Sequence, residues 1–225
     1  MTCEKFLYQR KPIFLPPRIL IRLDASSILE VLFVGNPMRR IAEYMEVSAL
    51  TAPKAKGEDY LETKILVEDE LDNLADEMSD YGNTSGKGNF ERDASNVRKS
   101  DAVLLISLNE PEICLLDCGA CGYLKCKDFE IRASKGTVDF DPEAEETEPE
   151  FEGPICSWRL LDLGIALGSA AKTASLFNAD SRIMYRVGVV AKKMDLIEGE
   201  IVVGIPISAT GKSIYFDREE STTST

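Results

Sequence analysis

Residues 38–220 predict a mixed α/β (α+β) domain: a small central sheet covered by helices, with a Cys-rich loop inserted into it. Three observations carry this expectation. The apolar runs 102–108 (AVLLISL) and 200–207 (EIVVGIPI) have the length and composition of buried strands. Segments with apolar residues at helical spacing alternate with them. Four of the six cysteines, Cys114, Cys118, Cys121 and Cys126, fall within 13 residues.

Residues 1–37 stand apart, with four prolines and a basic start (Lys5, Arg10, Lys11). They read as a poorly defined N-terminal extension, with Met38 the expected native start. Residues 38–50 predict a helix, with Ile41, Tyr44, Met45 and Ala49 at helical spacing. Residues 51–57 (TAPKAKG) break it. A short strand follows at 64–67, then a helix at 68–79 with Leu71, Leu74, Ala75 and Met78 on one face. The Gly/Asn-rich stretch 82–89 predicts a mobile loop, and 90–99 a helix leading into strand 102–108. The Cys-rich insertion spans about 110–156, with a short helix around 129–134. Its acidic linker, 139–152, carries eight acids and no base, a self-repelling, solvated composition. Residues 156–178 predict a long helix buried nearly all round, whose small residues Gly164, Gly168, Ala171 and Ser175 permit close helix packing. A helix at 181–194 precedes the last strand, which Pro206 and the loop 208–213 are expected to end. Residues 221–225 predict a disordered tail.

Charge and composition narrow the function. The chain has 225 residues, with 26 Lys+Arg against 39 Asp+Glu, a net charge of −13. Taking out the linker's eight acids leaves 31 against 26, so much of the acidity is local. Such a chain has no generic attraction for nucleic acid or anionic lipid. With no histidine, Ser-His-Asp triads, Cys-His dyads and His-ligated metals are excluded. Arg18, Arg22 and Glu30 interrupt the apolar stretches near the N-terminus, and Arg159, Asp162 and Lys172 those of the long helix. No run of membrane-spanning length remains, and a soluble cytoplasmic protein is the expectation.

The chemistry concentrates in Cys118-Gly-Ala-Cys121-Gly-Tyr-Leu-Lys-Cys126. Glycines beside cysteines let the backbone wrap closely, so that amide N–H groups can reach sulfur. Thiolates spaced C-x2-C-x4-C seat three corners of a 4Fe–4S cubane, and Cys156, at the start of the long helix, supplies a fourth. Lys125, Lys127, Arg132 and Lys135 offset the negative ligand set, and Lys125 and Lys127 are expected to tune its potential or dock an acidic partner. Structural zinc on four thiolates, although a second C-x2-C knuckle is missing, and reduced structural thiols are the competing readings. Cys114 lies among apolar residues and reads as a core thiol; Cys3 receives no role. Gly211-Lys212-Ser213 ends like a P-loop, but Pro206 occupies the position of its first glycine. The strand still empties into polar residues suited to an anion.

The Cys118–Cys126 loop resembles iron–sulfur domains of ferredoxin-type redox proteins. The wider chain resembles a prokaryotic family of ferredoxin-domain-containing proteins of unknown function, through 51–57, RDASNVR at 92–98 with Ser100-Asp101, 118–126, 162–169 (DLGIALGS), 182–185 (RIMY) and 204–213 (GIPISATGKS). The resemblance implies a 4Fe–4S cluster on Cys118, Cys121, Cys126 and Cys156, and no particular reaction. Ser48 to Lys56, with Arg39 and Arg40 upstream, is similar to the flavin-phosphate region of nitroreductases, as is the late Gly-Ile-Pro. That similarity implies an FMN-binding homodimer with the small-residue helix between subunits. Arg39, Lys54, Arg182 and Ser208 are then candidate flavin or anion contacts. The expected function is electron transfer or cluster-assisted redox chemistry with a redox partner protein or a small-molecule substrate. The alternative is a non-enzymatic interaction module stapled by zinc or a cluster.

Overall fold

The computed structural model describes residues 36–136 and 149–216. The extension before residue 36, most of the acidic linker (139–148) and the tail 221–225 lie outside the described residues.

The sheet has four antiparallel strands in the order β1–β2–β4–β3, formed by Leu61–Leu66 (β1), Ala102–Leu108 (β2), Asp180–Ser181 (β3) and Ile201–Ser208 (β4). β2 is buried along its whole length and β4 at every position after Ile201. Strands with no wet face need cover on both sides, and alternation of side chains divides the core accordingly. Ala102, Leu104, Ile106, Val203, Ile205 and Ile207 pack with helices α1 (Pro37–Leu50) and α5 (Ser157–Leu176). Val103, Leu105, Val202 and Leu66 pack with α2 (Asp69–Ser85), α3 (Phe90–Arg98) and α6 (Tyr185–Lys193). Helix α4 (Cys126–Ala133) joins a third, small cluster containing Cys114 and Cys156. No helix of the described residues is long and apolar enough to cross a membrane.

The architecture matches the sequence expectation, with local differences. Helix α2 runs to Ser85, so the expected loop 82–89 shrinks to its last four residues. Gly82 is helical because Phe90 crosses it: a Cβ there would lie 2.6 Å from that of Phe90. Thr84 and Ser85 hydroxyls donate to the carbonyls of Asp80 and Tyr81, and Gly86 takes the left-handed cap. The expected helix 181–194 starts only at Tyr185, because Met184 is held extended by paired hydrogen bonds to Gly204. Pro206 does not end β4; its carbonyl accepts from the Arg182 N–H at 3.4 Å, and pairing continues to Ser208. The short helix of the insertion begins at Cys126 instead of 129. Helix α5 is not buried all round: Leu160, Leu161 and Leu176 are exposed, and space is open at Gly164 and Gly168.

Two glycines test this packing with opposite signs. A Cβ on Gly188 would stand 1.8 Å from the Val202 carbonyl oxygen, where α6 meets β4, whereas Gly164 has nothing within 4 Å. Gly188→Ala is expected to lower the thermal midpoint, since overpacking costs roughly 1–3 kcal/mol or more. Gly164→Ala is expected to hold or raise it, by about 0.5–1 kcal/mol of helix propensity. Thermal unfolding followed by circular dichroism reads both.

Candidate metal centre

The chain leaving β2 passes over the N-terminus of α5. The Glu110 N–H donates to Glu200 Oε2 at 2.9 Å, and the Glu112 carbonyl accepts from Arg159 Nε at 2.8 Å. Between Cys114 and Cys126 the backbone doubles back in a tight loop. Gly119 (φ 75°) and Gly122 (φ 88°) occupy left-handed conformations that a side chain would strain, joined by a Gly122 N–H to Gly119 carbonyl bond of 3.0 Å.

Five thiols, Cys114, Cys118, Cys121, Cys126 and Cys156, line one cavity of about 10 Å³. All four cysteines chosen from the sequence are therefore brought together, with Cys114 beside them. Cys126 is the first residue of α4 and Cys156 the N-cap of α5. Both positions lie where helix amide N–H groups point outward, a polarity suited to an anionic ligand set. Backbone and indole donors point at sulfur. The Asp117 N–H donates to Cys126 Sγ at 3.2 Å and the Trp158 indole N–H to Cys118 Sγ at 3.2 Å. Asp117 in turn accepts from the Cys126 N–H at 2.8 Å and from Lys125 at 3.0 Å, and these bonds hold its carboxyl below the usual range.

The thiols differ in character. Cys118 is exposed, and hydrogen bonds from the Ala120 N–H and then from Trp158 hold it below the ordinary thiol value. Cys114 is buried; desolvation first, then the neighbouring Cys156, pushes it up to about 11. Cys114 is the core thiol expected, yet it also faces the ligand cavity. Among the described residues no three Cys, Asp or Glu side chains converge on one ion position. The donor set nevertheless fits an iron–sulfur cluster, in which each iron takes its own thiolate and N–H donors to sulfur are the rule.

The other candidate residues divide. Arg182 and Ser208 lie at one end of the sheet, where the Arg182 guanidinium donates to the Tyr215 carbonyl at 3.1 Å and lies 5.4 Å from the Phe216 ring. Arg39 lies in the first turn of α1, and that turn is tied to the same end. The Asn36 amide donates to the Asp101 carbonyl, whose carboxylate accepts from the Ala209 N–H. Lys54 lies past the opposite end of this 14-residue helix, about 20 Å away at 1.5 Å per residue. There its ammonium donates to the Leu50 and Ala52 carbonyls. The structure also brings forward residues that sequence reasoning gave no role at the site. Trp158 follows Cys156 by two residues, and Arg159 is fully buried beside the thiols. A polar side chain one turn into an apolar helix was the available signal. A cavity of about 290 Å³ adjoins the thiol cavity, sharing Ile113 and Cys156 with it and bordered by Glu110, Glu152 and Glu200.

Fold and site together describe a three-layer α/β domain of nitroreductase-like form carrying a thiol-rich centre. The nitroreductase CinD from Lactococcus lactis, in a structure with chloramphenicol, superposes with a TM-score of 0.50 at 13% identity, covering 84% of each chain. An oxidoreductase containing FMN gives 0.45 at 13% identity over 77% of this chain and 68% of that one. The family model described as "Uncharacterized protein containing a ferredoxin domain" (DUF2148) matches residues 152–218. An uncharacterized protein of Archaeoglobus fulgidus is 41% identical over 186 residues, 83% of this chain and 94% of that protein. The chain belongs to this family of uncharacterized ferredoxin-domain proteins.

In metal-free, reduced protein, iodoacetamide is expected to label Cys118 first and Cys114 last. The labelling rate of Cys118 should level off at a lower pH than that of an ordinary cysteine, because its depressed value fills the thiolate form earlier. Trp158→Phe removes a hydrogen bond to sulfur and should move that midpoint upward. Peptide mapping by mass spectrometry across pH checks all three.

Proposed function

We propose that this chain is an iron–sulfur redox protein whose 4Fe–4S cluster is held by Cys118, Cys121, Cys126 and Cys156. The observation that carries the reading is the gathering of these thiols around one cavity, two at helix N-termini and two accepting N–H bonds. When bound, the cluster supplies a one-electron carrier. The chain's own residues do the rest. The Asp117 and Trp158 donors stabilise thiolate charge, and the glycines at 119 and 122 let the loop close over sulfur. The cavity has room for at most about one water molecule, so the loop 115–124, whose Leu115, Leu116 and Leu124 are exposed, would have to open for a cluster to be held. Cys114, the thiol pushed up by burial, stays outside the ligand set.

Anaerobic purification with iron, acid-labile sulfide and zinc assays on one sample tests this. About four iron and four sulfide per chain are expected, lost in Cys126→Ser and Cys156→Ser and retained in Cys114→Ser. Stoichiometric zinc without sulfide would instead establish the stapled, non-redox module.

A flavin phosphate is the second cofactor we propose, at the end of the sheet where the first turn of α1 approaches the segment after β4. Ser208 is buried there, while Arg39 and Lys212 are exposed around it. Ser213 Oγ is shut from solvent without a hydrogen-bond partner among the described residues. FMN fluorescence should be quenched on addition of the protein. Arg39→Glu with Arg182→Gln should abolish the quenching, and Lys54→Gln should leave it unchanged. Equal loss in the double variant and in Lys54→Gln would remove the site from this end.

A further inference from the structure

We propose that Arg159 is the positioning residue of the thiol centre and the buried charge that sets the reduction potential of its cluster; this rests on the cluster reading above. Arg159 is fully buried, an expensive place for a cation and one that an apolar side chain would fill as well if packing were its only task. Its guanidinium instead binds three separate segments. Nε donates to the Glu112 carbonyl at 2.8 Å, two residues before Cys114. Nη1 donates to the Ala55 carbonyl at 3.1 Å and approaches Asp162 Oδ2 at 3.5 Å. Nη2 donates to Glu58. The plane stacks over Tyr60 at 4.5 Å, and the Arg159 N–H donates to the Cys156 carbonyl at 2.9 Å. Asp162 completes the frame by accepting from the Ala55 N–H at 2.8 Å. One side chain thus fixes the helix end that presents Cys156 against the chain entering at Cys114.

The same charge lies beside the thiol segments: the Arg159 N–H is bonded to the Cys156 carbonyl, and its Nε holds Glu112, two residues before Cys114. A cluster in a cage of four thiolates is anionic, and reduction adds one more negative charge. A buried cation beside it stabilises the reduced form more than the oxidised form, so it raises the potential; Glu58, the half-exposed counter-charge, lowers it.

The test is redox titration of the visible spectrum of cluster-loaded protein, with iron and sulfide content measured on the same samples. Glu58→Gln is expected to raise the midpoint and Arg159→Gln to lower it, with reduced iron content in the latter. Arg159→Lys keeps the charge and loses the fork. Its loaded fraction should keep the wild-type midpoint while iron content falls. Glu58→Gln keeps the buried guanidinium in place, so a folding failure of the Arg159 variants leaves its upward shift as a readout. Midpoints unchanged in Glu58→Gln and Arg159→Gln would overturn the potential-setting role. Full iron content in Arg159→Gln would overturn the positioning role. Wild-type protein that takes up no iron and sulfide would overturn the cluster reading itself, a distinct result.

Discussion

Burial of β2 on both faces is the constraint on which the rest depends. Its continuous apolar run cannot show a side to water, so α1 and α5 must cover one face and α2, α3 and α6 the other. That sandwich fixes α5 against the sheet, and with it the helix N-terminus at Cys156. The strand's own end delivers the Cys-rich segment to the same place. A site assembled from a loop and a distant helix is therefore held by the core and not by the loop.

The centre has two devices that suit sulfur ligands near a low-dielectric interior. Helix N-termini at Cys126 and Cys156 offer oriented amides, and the N–H groups of Asp117 and Trp158 donate directly to sulfur. Arg159 adds a full positive charge, itself compensated by Glu58 and Asp162. The buried cation is thus flanked by a buried carboxylate, Asp162, and by a partly exposed one, Glu58. Cys118, exposed, is held low by hydrogen bonds from Ala120 and Trp158, and Cys114 is pushed up by its burial.

Much of this was legible in the sequence. The runs 102–108 and 200–207 gave the central strands because apolar content alone decides a strand buried on both faces. The C-x2-C-x4-C spacing with Cys156 gave the thiols that share the cavity. What escaped reading depends on contacts far apart in sequence. Gly82 stays helical because Phe90 packs on it, and Met184 stays extended because Gly204 pairs with it. Pro206 remains inside β4 because neighbouring strands supply the other rungs of the ladder. Arg159 reads as a break in an apolar helix until Glu58, Ala55 and Glu112 appear around it. The resemblance of 48–56 to a flavin-phosphate region groups Lys54 with Arg39, and the length of α1 parts them.

X-ray absorption at the iron and zinc edges of anaerobically prepared protein tests the central claim most directly. The account predicts iron with a sulfur shell and a second, iron–iron shell, both lost in Cys156→Ser. A zinc edge with a single sulfur shell and no metal–metal scattering would contradict it.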